Sequence, residues 1–136
     1  MKNVWVNGCF DILHIGHIRL LEYASTFGRV RVGIDSDKRV SRLKGENRPF
    51  NNESIRKEVL ESIKYVSDVV IFNTDTELIN NIIENKTEIM VIGEEYKDKI
   101  IIGYEYCPKI HFFERVGDHS TTKILGNEGR SNWWNM

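Results

Sequence analysis

Two histidines flank an Ile-Gly pair near the start of the chain, in the run Gly8-Cys9-Phe10-Asp11-Ile12-Leu13-His14-Ile15-Gly16-His17. At a helix entrance this spacing lets both imidazoles face one anion. Their N–H groups would then stabilise charge developing on a phosphate chain in a transition state. Gly16 would leave room for a phosphate beside the N–H groups of the first helical turn, and Gly8 would let backbone approach a ligand. A metal pair is the competing reading, but no third His, Cys or carboxylate stands at an obvious ligand spacing.

Three further clusters could share that work. Lys38, Arg39, Arg42, Lys44, Arg48, Arg56 and Lys57 stand against only Glu46 and Glu53, a local cationic patch in which Lys44-Gly45 could close over phosphates. Such a patch is also what a solvated basic loop looks like. Gly93-Glu94-Glu95-Tyr96 could admit a base and read its edge, or be a simple turn. Arg115, with Ser120, Thr121 and Thr122 ahead of Lys123, could form a second phosphate cradle, although a hydroxyl there could equally cap a short helix.

The elements that must position these groups follow from hydrophobic spacing. Short apolar runs at Val4–Val6, Val30–Ile34, Val69–Phe72, Ile89–Ile92 and Ile110–Phe113 alternate with segments of helical period. Ile18, Leu20, Leu21 and Ala24 mark one helix, ending before Gly28 as its C-terminal glycine. Asn52 or Glu53 opens a second, with Ile55, Val59, Leu60 and Ile63, and Asp75 or Thr76 caps a third, with Leu78, Ile79, Ile82 and Ile83. This alternation predicts an α/β domain with a parallel five-stranded sheet flanked by helices. The residues after each strand lie on the sheet edge where ligands bind. Only Asp35 to Asn52 is long enough to count as a functional loop. The tail from Gly126 to Met136, with Trp133-Trp134, either frays or docks on the domain or a second subunit.

Bulk properties narrow the function. The 136 residues suit one domain, and 40% hydrophobic content fills one core. A formal charge of −1 from 19 basic and 20 acidic residues gives no global pull toward nucleic acid or an anionic membrane. Cys9 and Cys107 form no C-x-x-C and read as reduced thiols. The apolar run at the N-terminus is too short for a signal peptide, so a cytoplasmic location is expected.

Gly8-x-Phe10-Asp11-x-x-His14-x-Gly16-His17 with Ser120-Thr121-Thr122 resembles the paired signatures of the cytidylyltransferase-like HxGH nucleotidyltransferases, over roughly residues 3 to 125. The resemblance implies a Rossmann-like nucleotidyltransferase domain over residues 1–125, a magnesium ion held mainly by the nucleotide, and a homodimer. Ser36-Asp37, Arg42-Leu43-Lys44-Gly45-x-x-Arg48-Pro49, Arg56, Val59-Leu60 and Asp75-Thr76 are similar to heptose 1-phosphate adenylyltransferases. Arg115 with Ser120-Thr121-Thr122-Lys123-Ile124 is similar to glycerol-3-phosphate cytidylyltransferases, so ATP and CTP both stay open. Ile92 stands where the first group has lysine, and Glu94-Glu95-Tyr96 where it has Gly-Asp-Tyr.

By that resemblance His14 and His17 contact the triphosphate and Lys44 bridges phosphates of both substrates. Gly8, Cys9, Phe10, Gly16, Gly93, Glu95, Arg115, Ser120, Thr121 and Thr122 hold the nucleotide, and Asp11 and Arg56 lie nearer the acceptor. The implied reaction joins a nucleoside monophosphate to a phosphorylated small molecule and releases pyrophosphate. A rival of another class is a non-catalytic nucleotide-binding regulatory domain. A class I aminoacyl-tRNA synthetase fragment, the other owner of a His-Ile-Gly-His motif, lacks here both the length and the nucleic-acid footprint.

Overall fold

The computed structural model describes residues 1–114. Arg115, Ser120, Thr121, Thr122 and the Trp133-Trp134 tail, for which a cradle and a docking role were expected, lie outside the described residues. Five strands, β1 (Lys2–Gly8), β2 (Gly28–Asp35), β3 (Asp68–Phe72), β4 (Ile89–Gly93) and β5 (Lys109–Phe113), form one parallel sheet in the order β3-β2-β1-β4-β5. Helices α1 (Ile15–Ser25), α2 (Asp37–Lys44), α3 (Glu53–Glu61) and α4 (Asp75–Glu84) flank it.

A central parallel strand is buried on both faces, which is why β1 reads as unbroken Val4-Trp5-Val6. Alternation then divides the core. Val4 and Val6 pack with Leu20, Leu21 and Ala24 of α1 and Leu60 of α3, whereas Trp5 faces Leu78 and Ile82 of α4 with Phe72 and Met90. Gly33, beside Trp5 on β2, is small because a Cβ there would strike the indole.

Strand order reverses on either side of β1, and the β1–β4 register runs only through Val4↔Ile89 and Trp5↔Met90. Beyond it the carboxyl ends of β1 and β4 part, opening the crevice expected at a switch point. By contrast β1 and β2 stay paired to Gly8↔Ile34, so the loops that follow them start side by side.

Three local expectations need correction. Asp35 to Asn52 is not all loop: α2 occupies Asp37–Lys44, capped by Ser36, whose Oγ accepts from Arg39 N–H at 3.1 Å. Val40 is its only buried residue, too little apolar signal to mark a helix. The cap of α4 is Thr74, whose hydroxyl accepts from Glu77 N–H, rather than Asp75 or Thr76. Gly28 opens β2 instead of ending α1; its lack of Cβ accommodates the Lys2 carbonyl on the neighbouring strand.

Candidate active site

The turn after β1 delivers both histidines to the head of α1. His14 is the N-cap, and the pair caps the helix reciprocally: Gly16 N–H donates to His14 Nδ1 (3.0 Å), and His14 N–H donates to His17 Nδ1 (3.1 Å). The rings lie 3.8 Å apart between centroids. Each neutral ring that accepts at Nδ1 must carry its proton on Nε2. His17 is held in that neutral form: burial, then the neighbouring His14 and Lys44, push its pKa well below the usual 6.5. Its buried Nε2–H has no hydrogen-bond partner among the described residues. A fixed, uncharged donor of this kind is suited to an anion that arrives and leaves. The same accounting corrects one detail, since Gly16 N–H already donates to His14.

Phe10 supports the turn from below. It takes a left-handed backbone (φ 52°), is buried, and sets its ring 5.2 Å from that of His17. Such a conformation is costly for a bulky residue and persists only where surroundings impose it. Cys9 is fully buried beside it, and burial raises its thiol to about 11. It therefore stays a neutral wall, not a nucleophile. Gly8 ends β1 at the same edge.

Lys44 ends α2, and Gly45 (φ 107°) turns the chain away after it. The ammonium lies within electrostatic reach of Cys9, Arg48, Asp35, Asp11 and His17, and burial lowers its pKa. Of the basic patch, Lys44 is the cation brought to the histidines. The arginines are bonded within the protein. Arg39 pairs with Asp75 (2.8 Å) and lies 3.5 Å from Asp35; Arg42 donates to Asn73 O; Arg48 pairs with Asp11 (3.2 Å); Lys38 is exposed.

Asp11 and Arg56, expected nearer the acceptor, hold loops together. Asp11 accepts from Phe50 N–H and Asn51 N–H, each at 2.8 Å, and from Arg48 Nε. Arg56 is buried and donates to Cys9 O, Asp35 O, Asn51 O and Asp37 Oδ1. Its guanidinium thereby ties together the segments after β1 and β2 and the one entering α3. A buried arginine needs that many acceptors, and here the protein supplies them.

At the parted ends of β1 and β4 lies a cavity of about 300 Å³, lined among others by Asn7, Asp35, Arg39, Leu78, Gly93 and Tyr96. It does not include the histidines. Asp35 connects the two regions, because it lines the cavity and lies within electrostatic reach of Lys44. Sequence reasoning placed Gly93 at this edge and opened the functional loop at Asp35, but assigned no site role to Asp35 or Asn7; each directly follows an apolar run, and that position was the available signal. The side chain of Glu95 lies outside what is described. Among the described residues no three His, Cys, Asp or Glu side chains converge as a metal site, and no helix is long and apolar enough to cross a membrane.

Residues 5–125 match the family described as cytidylyltransferase-like. The chain is 45% identical over 127 residues to the "Bifunctional protein HldE" of Campylobacter jejuni subsp. doylei, and 43% over 124 residues to that of Campylobacter fetus subsp. fetus. These alignments cover 91% and 90% of this chain but 27% of each relative, so the chain spans about a quarter of the curated relatives it matches. Among solved structures, a lipopolysaccharide core biosynthesis protein from Thermoplasma volcanium superposes with a TM-score of 0.67 at 24% identity, covering 88% of this chain and 99% of that one. A protein of unknown function from Archaeoglobus fulgidus gives 0.58 at 22%, covering 87% and 90%. These two likenesses bear on the fold, and they agree with the parallel sheet described above. With the signature turn at the head of α1 and a family match over most of its length, the chain belongs to the cytidylyltransferase-like family of nucleotidyltransferases.

Proposed function

We propose that this domain transfers adenylyl from ATP to heptose 1-phosphate and releases pyrophosphate. The observation that carries the chemistry is the buried, neutral His17 with its Nε2–H unpartnered among the described residues, beside His14 and Lys44. The choice of acceptor is supported by the HldE relatives and by Ser36-Asp37 and Arg42-Leu43-Lys44-Gly45-x-x-Arg48-Pro49.

In this reading an acceptor phosphate oxygen attacks the α-phosphorus in line, and the bond to the pyrophosphate oxygen breaks. A phosphate monoester has a second pKa of about 6, so the nucleophile is already anionic at neutral pH and needs no general base. The residues contribute position and charge: His14 and His17 Nε2–H groups toward the triphosphate, Lys44 between the phosphates of both substrates. Gly8, Cys9, Phe10, Gly16 and Gly93 border the nucleotide, with Glu95, Arg115, Ser120, Thr121 and Thr122 completing its contacts. Asp11 and Arg56 act by fixing the loops. Magnesium would be held mainly by the triphosphate, and when bound would neutralise phosphate charge. A homodimer and a cytoplasmic location belong to the same proposal.

The test is pyrophosphate release with each of the four common triphosphates against heptose 1-phosphate, glycerol 3-phosphate and other phosphorylated small molecules. Turnover with ATP and heptose 1-phosphate is expected. Preference for CTP with glycerol 3-phosphate would replace the substrates, and binding without pyrophosphate would favour a regulatory domain.

A further inference from the structure

The cavity at the parted ends of β1 and β4 contains a carboxylate whose bonding is incomplete. Asp35 has a side chain only 4% exposed, yet its buried Oδ2 has no hydrogen-bond partner among the described residues. Its Oδ1 lies 3.5 Å from Arg39 Nε, beyond the usual hydrogen-bond range of about 2.7–3.2 Å. That arginine is otherwise directed to Asp75 and the Asn73 carbonyl. A buried acceptor without a donor is expensive and calls for one.

The neighbours indicate what kind of donor. Asn7, also on the cavity wall, accepts from Trp5 Nε1–H at 3.1 Å, which fixes its Oδ1 toward the indole and leaves Nδ2 to donate. The cavity thus offers a carboxylate acceptor and an amide donor over apolar walls from Leu78 and Ile102. Hydroxyls that donate and accept while carbon faces pack on aliphatic surface match this set. Bulky cations such as quaternary ammonium groups favour an aromatic cage. Among the described residues, Tyr96 is the one aromatic side chain on this wall.

We propose that Asp35 determines acceptor specificity, its carboxylate accepting a hydrogen bond from a hydroxyl of a polyhydroxylated phosphate ester seated in the cavity. The inference rests on the transferase reading. Lys44, within electrostatic reach of Asp35, places the phosphate of such a molecule toward the histidines while its polyol end lies against Asp35. Burial raises the Asp35 pKa, while the nearby Arg39, Lys44 and Arg56 charges oppose the shift.

The experiment compares wild type and Asp35→Asn with heptose 1-phosphate, its single-deoxy analogues and aminoethyl phosphate. Acceptor affinity is read by calorimetric titration and turnover by pyrophosphate release. Asp35→Asn should weaken heptose 1-phosphate about 10-fold or more, as for loss of a charged hydrogen bond, with the triphosphate KM unchanged. One deoxy analogue should lose a similar factor on wild type and little more on the variant, a coupling that a purely structural role would not produce. Additive losses, a variant effect below about twofold, tighter binding of aminoethyl phosphate, or no binding of any polyol phosphate would each overturn the assignment. If the variant fails to fold, the deoxy series on wild type decides, since an absence of any sensitive position would overturn it. Coupled binding without pyrophosphate release would sink the transferase reading and leave Asp35 in place.

Discussion

The turn at the head of α1 and the basic segment that follows β2 both looked like phosphate sites, and the structure treats them in opposite ways. In the turn, the internal hydrogen bonds go to Nδ1 atoms, and the Nε2–H of His17 keeps no partner among the described residues. In the segment, the guanidiniums of Arg39, Arg48 and Arg56 face carboxylates of the protein itself. Arg42 donates to the Asn73 carbonyl. Counting positive charges therefore does not separate groups the protein itself satisfies from those it leaves open; asking where each polar atom is satisfied does.

Removing a member of each region should separate these roles. The largest effect is expected from Arg56→Ala, which strips four acceptors of their donor and leaves loops after two strands untied. Each buried carbonyl left without its donor costs about 1–3 kcal/mol, so chemical denaturation should show a large loss of stability. A small loss, with the damage confined to acceptor KM, would restore Arg56 as a substrate ligand. Lys44→Ala should cost less stability than Arg56→Ala and lower kcat/KM by about 10–100-fold, the value of a charged hydrogen bond. Its exposed neighbour provides the control, since Lys38→Ala should change either quantity within about ±0.5 kcal/mol. Equal effects from the two lysines would erase the distinction drawn here.

Proton binding sharpens the same contrast. The folded state holds His17 well below 6.5, whereas the unfolded chain takes up that proton near 6.5. The unfolded state binds more protons below this value, so His17 contributes stability above pH 6.5 that is lost as pH falls. The limiting slope is about 1.4 kcal/mol per pH unit. Denaturation midpoints between pH 6.5 and 5 should fall more steeply for wild type than for His17→Gln. Parallel curves would mean that the ring is not held neutral.

Much of this was legible from local pattern. Strand positions followed from short apolar runs, and the histidine turn from its spacing after the first of them. What escaped depends on distant partners. The capping Thr74 sits one residue ahead of the expected start, and α2 buries only Val40, so neither left a periodic signal. The Gly28 approach to Lys2, the Arg56 hub and the orphaned Oδ2 of Asp35 arise only once strands far apart in sequence lie together. At Arg56 and Asp35 residue type announced a cation and a carboxylate; only the fold decided what each faces.

The central claim is that His17 Nε2–H serves the transition state and not the fold. Pyrophosphate release by His17→Ala, measured beside a thermal melt, tests it most directly. The account predicts a loss of ~10²–10³ in kcat with a native-like cooperative melt. Turnover near the wild-type rate in a folded variant would contradict it.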